Sequence, residues 1–336
     1  VRRRANFPLN LENGLPSPPF GFKSFDKSGL VICSSPGISG EPSEYFAIAG
    51  SFFSRQHKHA DDLGFQLFSG GKGIFTDAGT FSYQYDSPER IFIESTRAHN
   101  CLEIDGHDYS RFRIDAFGNC VDIAERLGDA IFVDATINRT RLVPSHLPYN
   151  KVKGSDCIKV MIKQRRIAYY VPGKFLVILD ELKSKKERTF TQWFNLFPGL
   201  QVSKSEGDWL ISDNEEVLAV MRNLDGGPSE IVQRRGQEEP RLEGWISPNG
   251  HTLEETNSLG IRKTGSEEII ATMIDVDFGL TNKASLNRGS GGKYTRISIS
   301  REDGDFDLKI RNKDGMTMIE HVSSEGSVEK EFSILD

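Results

Sequence analysis

Several things are scarce in this chain of 336 residues. Only four cysteines occur, Cys33, Cys101, Cys120 and Cys157, and none are paired as CxxC. That spacing argues against a zinc ribbon, and a chain of this size needs no disulfide framework, so buried free thiols are expected. No run approaches the roughly 20 apolar residues of a membrane-spanning helix. Hydrophobic residues make up 37% and charged residues 27%, enough to build a core without a membrane span. A basic excess is absent too. The net charge of −6 disfavours general nucleic-acid binding, although a local basic cleft would still suit an acidic sugar polymer. The chain opens on Val1-Arg2-Arg3-Arg4, with neither Met nor a signal-peptide core, and reads as a piece of a longer protein. No long window repeats with a helical period of 3.6 residues.

Strand signals, by contrast, recur throughout. Short β-branched or aromatic runs lie at 46–49, 91–93, 130–133, 158–162, 167–171, 175–179, 189–194, 217–221, 269–274, 296–300, 306–310 and 316–319. Turn residues such as Pro172-Gly173 and Asp303-Gly304 separate them. Many short strands predict an all-β fold, a large two-sheet antiparallel β-sandwich, rather than parallel βαβ units. Residues 1–25 are Pro-rich and read as a lead-in segment, leaving 26–336 as the sandwich domain. Residues 223–262 read as a long polar excursion, of the kind that is often functional. Arg165-Arg166 and Lys183 to Lys186 read as solvated strand ends and turns.

The chemistry concentrates in one window. Three of the seven histidines are His57, His59 and His99. Between the last two stand Asp77, within Thr76-Asp77-Ala78-Gly79, and the phenols Tyr83 and Tyr85. On a strand, His57 and His59 would face one side and Lys58 the other. A strand–hairpin–strand path would bring His59, Asp77 and His99 together. Two imidazoles and a carboxylate with an open position form a catalytic-type zinc set, suited to other transition metals as well. Each residue also has a plainer role. Asp77 serves as a turn residue, the tyrosines as strand aromatics, and Asn100 as a loop tie. A cupin-type metal oxygenase also uses HxH on a strand, but it needs a glutamate shortly afterwards, and none occurs before Glu89.

Read whole, the window resembles the heparinase II/III-like polysaccharide lyases. The resemblance rests on the 57–68 stretch that opens His57-Lys58-His59, on 73–83 around Asp77, on Arg90, on Ser95-Thr96-Arg97-Ala98-His99-Asn100, and on Ile104-Asp105-Gly106. It is densest over 45–110 and extends more loosely through 192–198 and 244–247. It implies a C-terminal antiparallel β-sandwich partnered by an N-terminal α/α toroid, with an acidic polysaccharide between them. It further implies a divalent metal on His59, Asp77 and His99, zinc first, with manganese or calcium as alternatives. His57 would lie in the substrate cleft. Tyr85, with Tyr83 close behind, would be the sandwich-domain tyrosine used by some relatives.

The implied reaction is β-elimination on a uronic acid, cleaving a heparan-type, alginate-type or exopolysaccharide chain. A tyrosine or histidine would move the protons, and a group neutralising the carboxylate would stabilise the enolate-like intermediate. Arg90, Arg97 and Asn100 are candidate substrate contacts in the same window. Trp245, in the polar excursion, is the candidate sugar-stacking ring, whereas Trp193 reads as core. The alternative is a non-catalytic, metal-stabilised carbohydrate-binding module. The resemblance also suggests a periplasmic or exported protein.

Overall fold

The computed structural model describes residues 21–35, 44–54, 57–112, 115, 118–227 and 229–333. Most of the lead-in segment lies outside the described residues. Its last five, Gly21–Phe25, form the first strand and pair with Leu30–Ser35. No described helix is long and apolar enough to cross a membrane.

The all-β sandwich is present, and a further layer extends it. A five-stranded antiparallel sheet runs Gly21–Phe25, Leu30–Ser35, Glu44–Ala49, Gly64–Ser69, Lys72–Phe75. It covers one face of an eleven-stranded central sheet. A five-stranded meander from Thr281–Arg288 to Gly326–Ser333 covers the other face.

The pleat explains the layering, because successive residues of a strand point to opposite faces. In Ile158–Val171, Ala168 and Tyr170 enter the core under the first sheet, while Ile167 and Tyr169 enter the core under the last. In Phe175–Asn195, Leu176 and Ile178 face one way and Phe175, Val177 and Leu179 the other. Such near-continuous apolar runs mark strands buried on both sides, and a two-layer sandwich does not need them.

One long strand organises the corner that holds the candidate residues. Phe175–Asn195 pairs with Asn257–Asp275 along most of its length, with a register break between Lys183 and Arg188. Before the break its other edge pairs with Ile158–Val171; beyond it, that edge takes Leu102–Ile104.

Four sequence readings are corrected here. Residues 91–93 lie in a short helix, Pro88–Ile93, and not in a strand. Ser87 caps it through Arg90 N, with proline and an acid in the first turn, a helix-start signature that outweighs three apolar residues. Arg166 is not at a solvated end but wholly buried, and Arg165 is largely buried between Asp134 and Glu181. The polar excursion is not all loop, because Glu230–Arg235 pairs with Asn257–Asp275. Finally, only Cys33 and Cys101 are fully buried thiols; Cys120 and Cys157 are half-buried.

Candidate functional site

Asp77 and His99 are set by the end of the long strand. Asn195 N–H donates to Asn100 Oδ1, and Asn195 O accepts from Thr76 N at 3.0 Å. Asn100 Nδ2 then donates to Phe65 O at 2.7 Å and Thr76 O at 2.9 Å. Asn100 is therefore buried and saturated by protein groups: it ties two loops together and has no donor left for substrate.

Across this tie His99 Nδ1 lies 2.8 Å from Asp77 Oδ2, while Asp77 Oδ1 accepts from Gly79 N at 2.9 Å. Burial opposes charge on both partners, but their mutual attraction prevails. It holds the Asp77 carboxyl down at about 2 and His99 above the ordinary imidazole value.

His59 does not stand on a strand. Residues 54–62 contain no β-branched side chain, and His57 and Leu63 both have left-handed backbone, at φ 62 and φ 64, so the segment turns where an extended pair was expected. As a result the two imidazoles part. His57 is exposed, with its ring edge-on to Tyr83 at 6.1 Å. His59 is buried, its ring 5.3 Å from that of His99. Burial, and then the neighbouring His99, push His59 down to about 4, leaving it neutral with a free lone pair near neutral pH. Lys58 turns inward to Asp61 and Asp62.

The donor types suit a divalent ion, and one atom lacks a partner: His99 Nε2 is buried without a hydrogen bond. As placed, no three His, Cys, Asp or Glu side chains among the described residues stand in ion-holding positions. Both Asp77 oxygens are engaged by His99 and Gly79.

The remaining candidates separate. Tyr83 is 65% exposed beside His57, and Tyr85 is half-buried against Tyr149. Arg90 is buried and bound to Glu94 and to Ser82 O. Arg97 is buried between Glu103 and Glu243. Neither guanidinium is free for a substrate carboxylate, because buried arginines require paired acids. Trp245 is only partly open. Its Nε1 donates to Gln237 O at 2.9 Å, and its ring packs with Ala78 and Phe92. Trp193 is core, as expected, at 2% exposure.

The excursion docks beside the Asp77–His99 corner. Ser247 N donates to Ala78 O at 2.8 Å, and a Cβ on Gly79, whose φ is +79, would stand 2.3 Å from Ser247 O. Gly79→Ala is therefore expected to destabilise the chain by about 1–3 kcal/mol and to loosen the turn after Asp77. Denaturant unfolding would measure it, and an unchanged midpoint would contradict this packing.

Sequence reasoning missed the buried support. Arg166 pairs with Asp180 through Nε at 2.8 Å and Nη2 at 2.6 Å, and its Nη1 donates to Leu63 O at 2.7 Å and Asn100 O at 2.9 Å. One guanidinium thus joins the His59 loop, the His99 loop and the central sheet. Glu94, Arg111 and Tyr149, taken up below, were also missed. The i,i+4 spacing of Arg90 and Glu94 was a sign of that pair, whereas Arg111 and Tyr149 meet partners distant along the chain.

The heparinase II/III-like C-terminal family profile matches residues 17–277. No curated protein matches. Among solved structures, the chain is similar to the heparan sulfate lyase HepC of Pedobacter heparinus, with TM-score 0.62 and 12% identity, covering 95% of this chain and 43% of that one. It is also similar to heparinase III, with TM-score 0.60 and 14% identity, covering 94% and 43%. The chain thus spans less than half the length of these proteins. The three-segment corner of His59, Asp77 and His99 lies inside the matched region, and the chain belongs to the heparinase II/III-like family, matching its C-terminal part.

Proposed function

We propose that this chain is the β-sandwich part of a polysaccharide lyase that cleaves a uronic acid-containing glycosaminoglycan by β-elimination. The observation that carries this reading is the corner of His59, Asp77 and His99 within the family-matched region, with the exposed His57–Tyr83 pair set apart from it. The names of the solved relatives support a heparan-type substrate and lend nothing to an alginate-type one. The helical toroid expected from the resemblance would form the opposite wall of the cleft.

In this reading the exposed His57 and Tyr83 meet the sugar. One takes the proton from C5, the C4–O bond breaks as the C4–C5 double bond forms, and a second group returns a proton to the leaving oxygen. Tyr85, held more firmly just behind Tyr83, is the other proton carrier. His59, Asp77 and His99 would hold a divalent ion, zinc first. The buried orphan Nε2 of His99 and the neutral His59 favour it, and Asp77 would turn one oxygen from its present partners. When bound, such an ion supplies Lewis-acid neutralisation of the uronate carboxylate.

Elemental analysis tests the metal. About one zinc-like ion per purified chain is expected, lost in His59→Ala. A metal-free wild type would remove the ligand assignment. A second reading, a metal-stabilised binding module without chemistry, is favoured by one observation: Arg90 and Arg97 are both committed to glutamates, so neither can receive the substrate carboxylate. Uronate turnover by the full-length wild type, lost in His57 variants, supports the lyase reading, whereas binding without turnover supports the second.

A further inference from the structure

Glu94 follows the helix Pro88–Ile93 and is buried. Its carboxylate holds two arginines. Oε1 accepts from Arg90 Nε at 2.7 Å, and Oε2 accepts from Arg111 Nη1 at 2.9 Å. Each guanidinium then lies over a tyrosine. Arg90 is 4.4 Å from the Tyr85 ring centre, and Arg111 is 4.3 Å from that of Tyr149. The two rings meet edge to face, 5.9 Å apart. Five side chains thereby close a circle in which every cation has an acid and a π-face.

The circle touches the candidate site on both sides. Arg111 Nη1 donates to Lys58 O at 2.7 Å, and Glu94 O accepts from Ala60 N at 2.9 Å, bracketing His59. On the other side Arg90 binds Ser82 O and lies 5.5 Å from the Tyr83 ring. The imidazoles at 57 and 59 and the phenols at 83 and 85 come from segments more than twenty residues apart in sequence. Glu94 is where their supports meet.

We propose that Glu94 is a positioning residue, fixing the distance between the tyrosine pair and the 57–60 loop by gripping Arg90 and Arg111 at once. The functional meaning rests on the lyase reading above, but the coupling does not. A carboxylate is needed because it offers an acceptor oxygen to each arginine. Glutamine keeps the size, offers one acceptor oxygen, and releases one arm.

The test uses this chain labelled with fluorotyrosine, the Tyr83 and Tyr85 signals being assigned by Tyr83→Phe and Tyr85→Phe. In Glu94→Gln the Tyr85 signal is expected to shift and broaden while those of core Tyr169 and Tyr170 stay in place. Amide exchange at 57–60 should accelerate about tenfold, as expected for loss of a charge-assisted hydrogen bond. Arg111→Met, which does not touch Tyr85, should move the same signal. A Tyr85 signal unmoved in both folded variants overturns the proposal. Should Glu94→Gln disturb Tyr169 and Tyr170 as well, Arg111→Met decides alone. In an active full-length protein, Glu94→Gln should lower kcat about tenfold with KM little changed. An inactive wild type would sink the lyase reading and leave the coupling standing; a mobile Tyr85 signal with no tyrosine-to-loop coupling would sink this inference alone.

Discussion

Asp180→Ala is expected to lower the stability of the chain by about 3–5 kcal/mol, the usual penalty for stranding a buried charge. Asp180 and Arg166 are both inaccessible to solvent and face each other through two hydrogen bonds. Gln192 Nε2 adds a third at 2.8 Å to Asp180 Oδ2. Without the carboxylate, Arg166 keeps its charge, since a guanidinium does not deprotonate at accessible pH. The strain would then reach Leu63 O and Asn100 O, to which Arg166 also donates. The His59 and His99 loops should loosen together with the loss in global stability. Denaturant unfolding of Asp180→Ala measures the first effect and amide exchange the second. Arg166→Met/Asp180→Leu supplies the control: replacing the whole pair by apolar groups should restore much of the loss, because the penalty comes from the unpaired charge. A single variant within about 0.5 kcal/mol of wild type, the range of ordinary surface changes, would contradict the pair as placed.

On the lyase reading proposed above, His57→Asn in the full-length protein is expected to reduce kcat on a glycosaminoglycan by about 10²–10⁴-fold, the usual contribution of a proton-transferring side chain. Asparagine is the informative replacement because residue 57 has φ 62 and asparagine tolerates left-handed backbone better than alanine does. The loss should then be chemical and not conformational. His57 is exposed and stands apart from the buried His59–His99 corner, so metal content and melting temperature should hold. The assay follows the ultraviolet absorbance of the unsaturated product. Retained kcat with metal bound would remove His57 from the proton transfer, whereas loss of metal together with kcat would make His57 part of the ion site. A full-length wild type that binds without turnover would favour the binding-module reading.

The strand content was legible because it is local. Runs such as those at 130–133, 175–179 and 269–274 carry β-branched side chains between turn residues, and these became the central strands. Of the candidate residues in 57–100, the fold brings His59, Asp77 and His99 to one corner and leaves His57 with Tyr83 apart from it. The apolar triplet at 91–93 hid the helix Pro88–Ile93, although its capping residues stood in the sequence. The missing β-branched residues of 54–62 were the overlooked sign that the histidine pair would turn.

By itself, then, the sequence determined the class of fold, the family, and which short window carries the candidate groups, since periodicity, turn chemistry and motif order act over a few residues. Tertiary structure alone decided which side chains are free to react. Arg90, Arg97, Asn100 and Arg166 looked available by type, but burial obliged each to find a partner: Glu94, only four residues on, for Arg90, and the more distant Glu243, Asn195 and Asp180 for the others. Burial of a charge or an amide must be compensated wherever the fold can supply the opposite group. Apart from the local i,i+4 pair of Arg90 and Glu94, that pairing is set by strand register within the central sheet and by how the 57–100 loops lie against it, which no local pattern encodes.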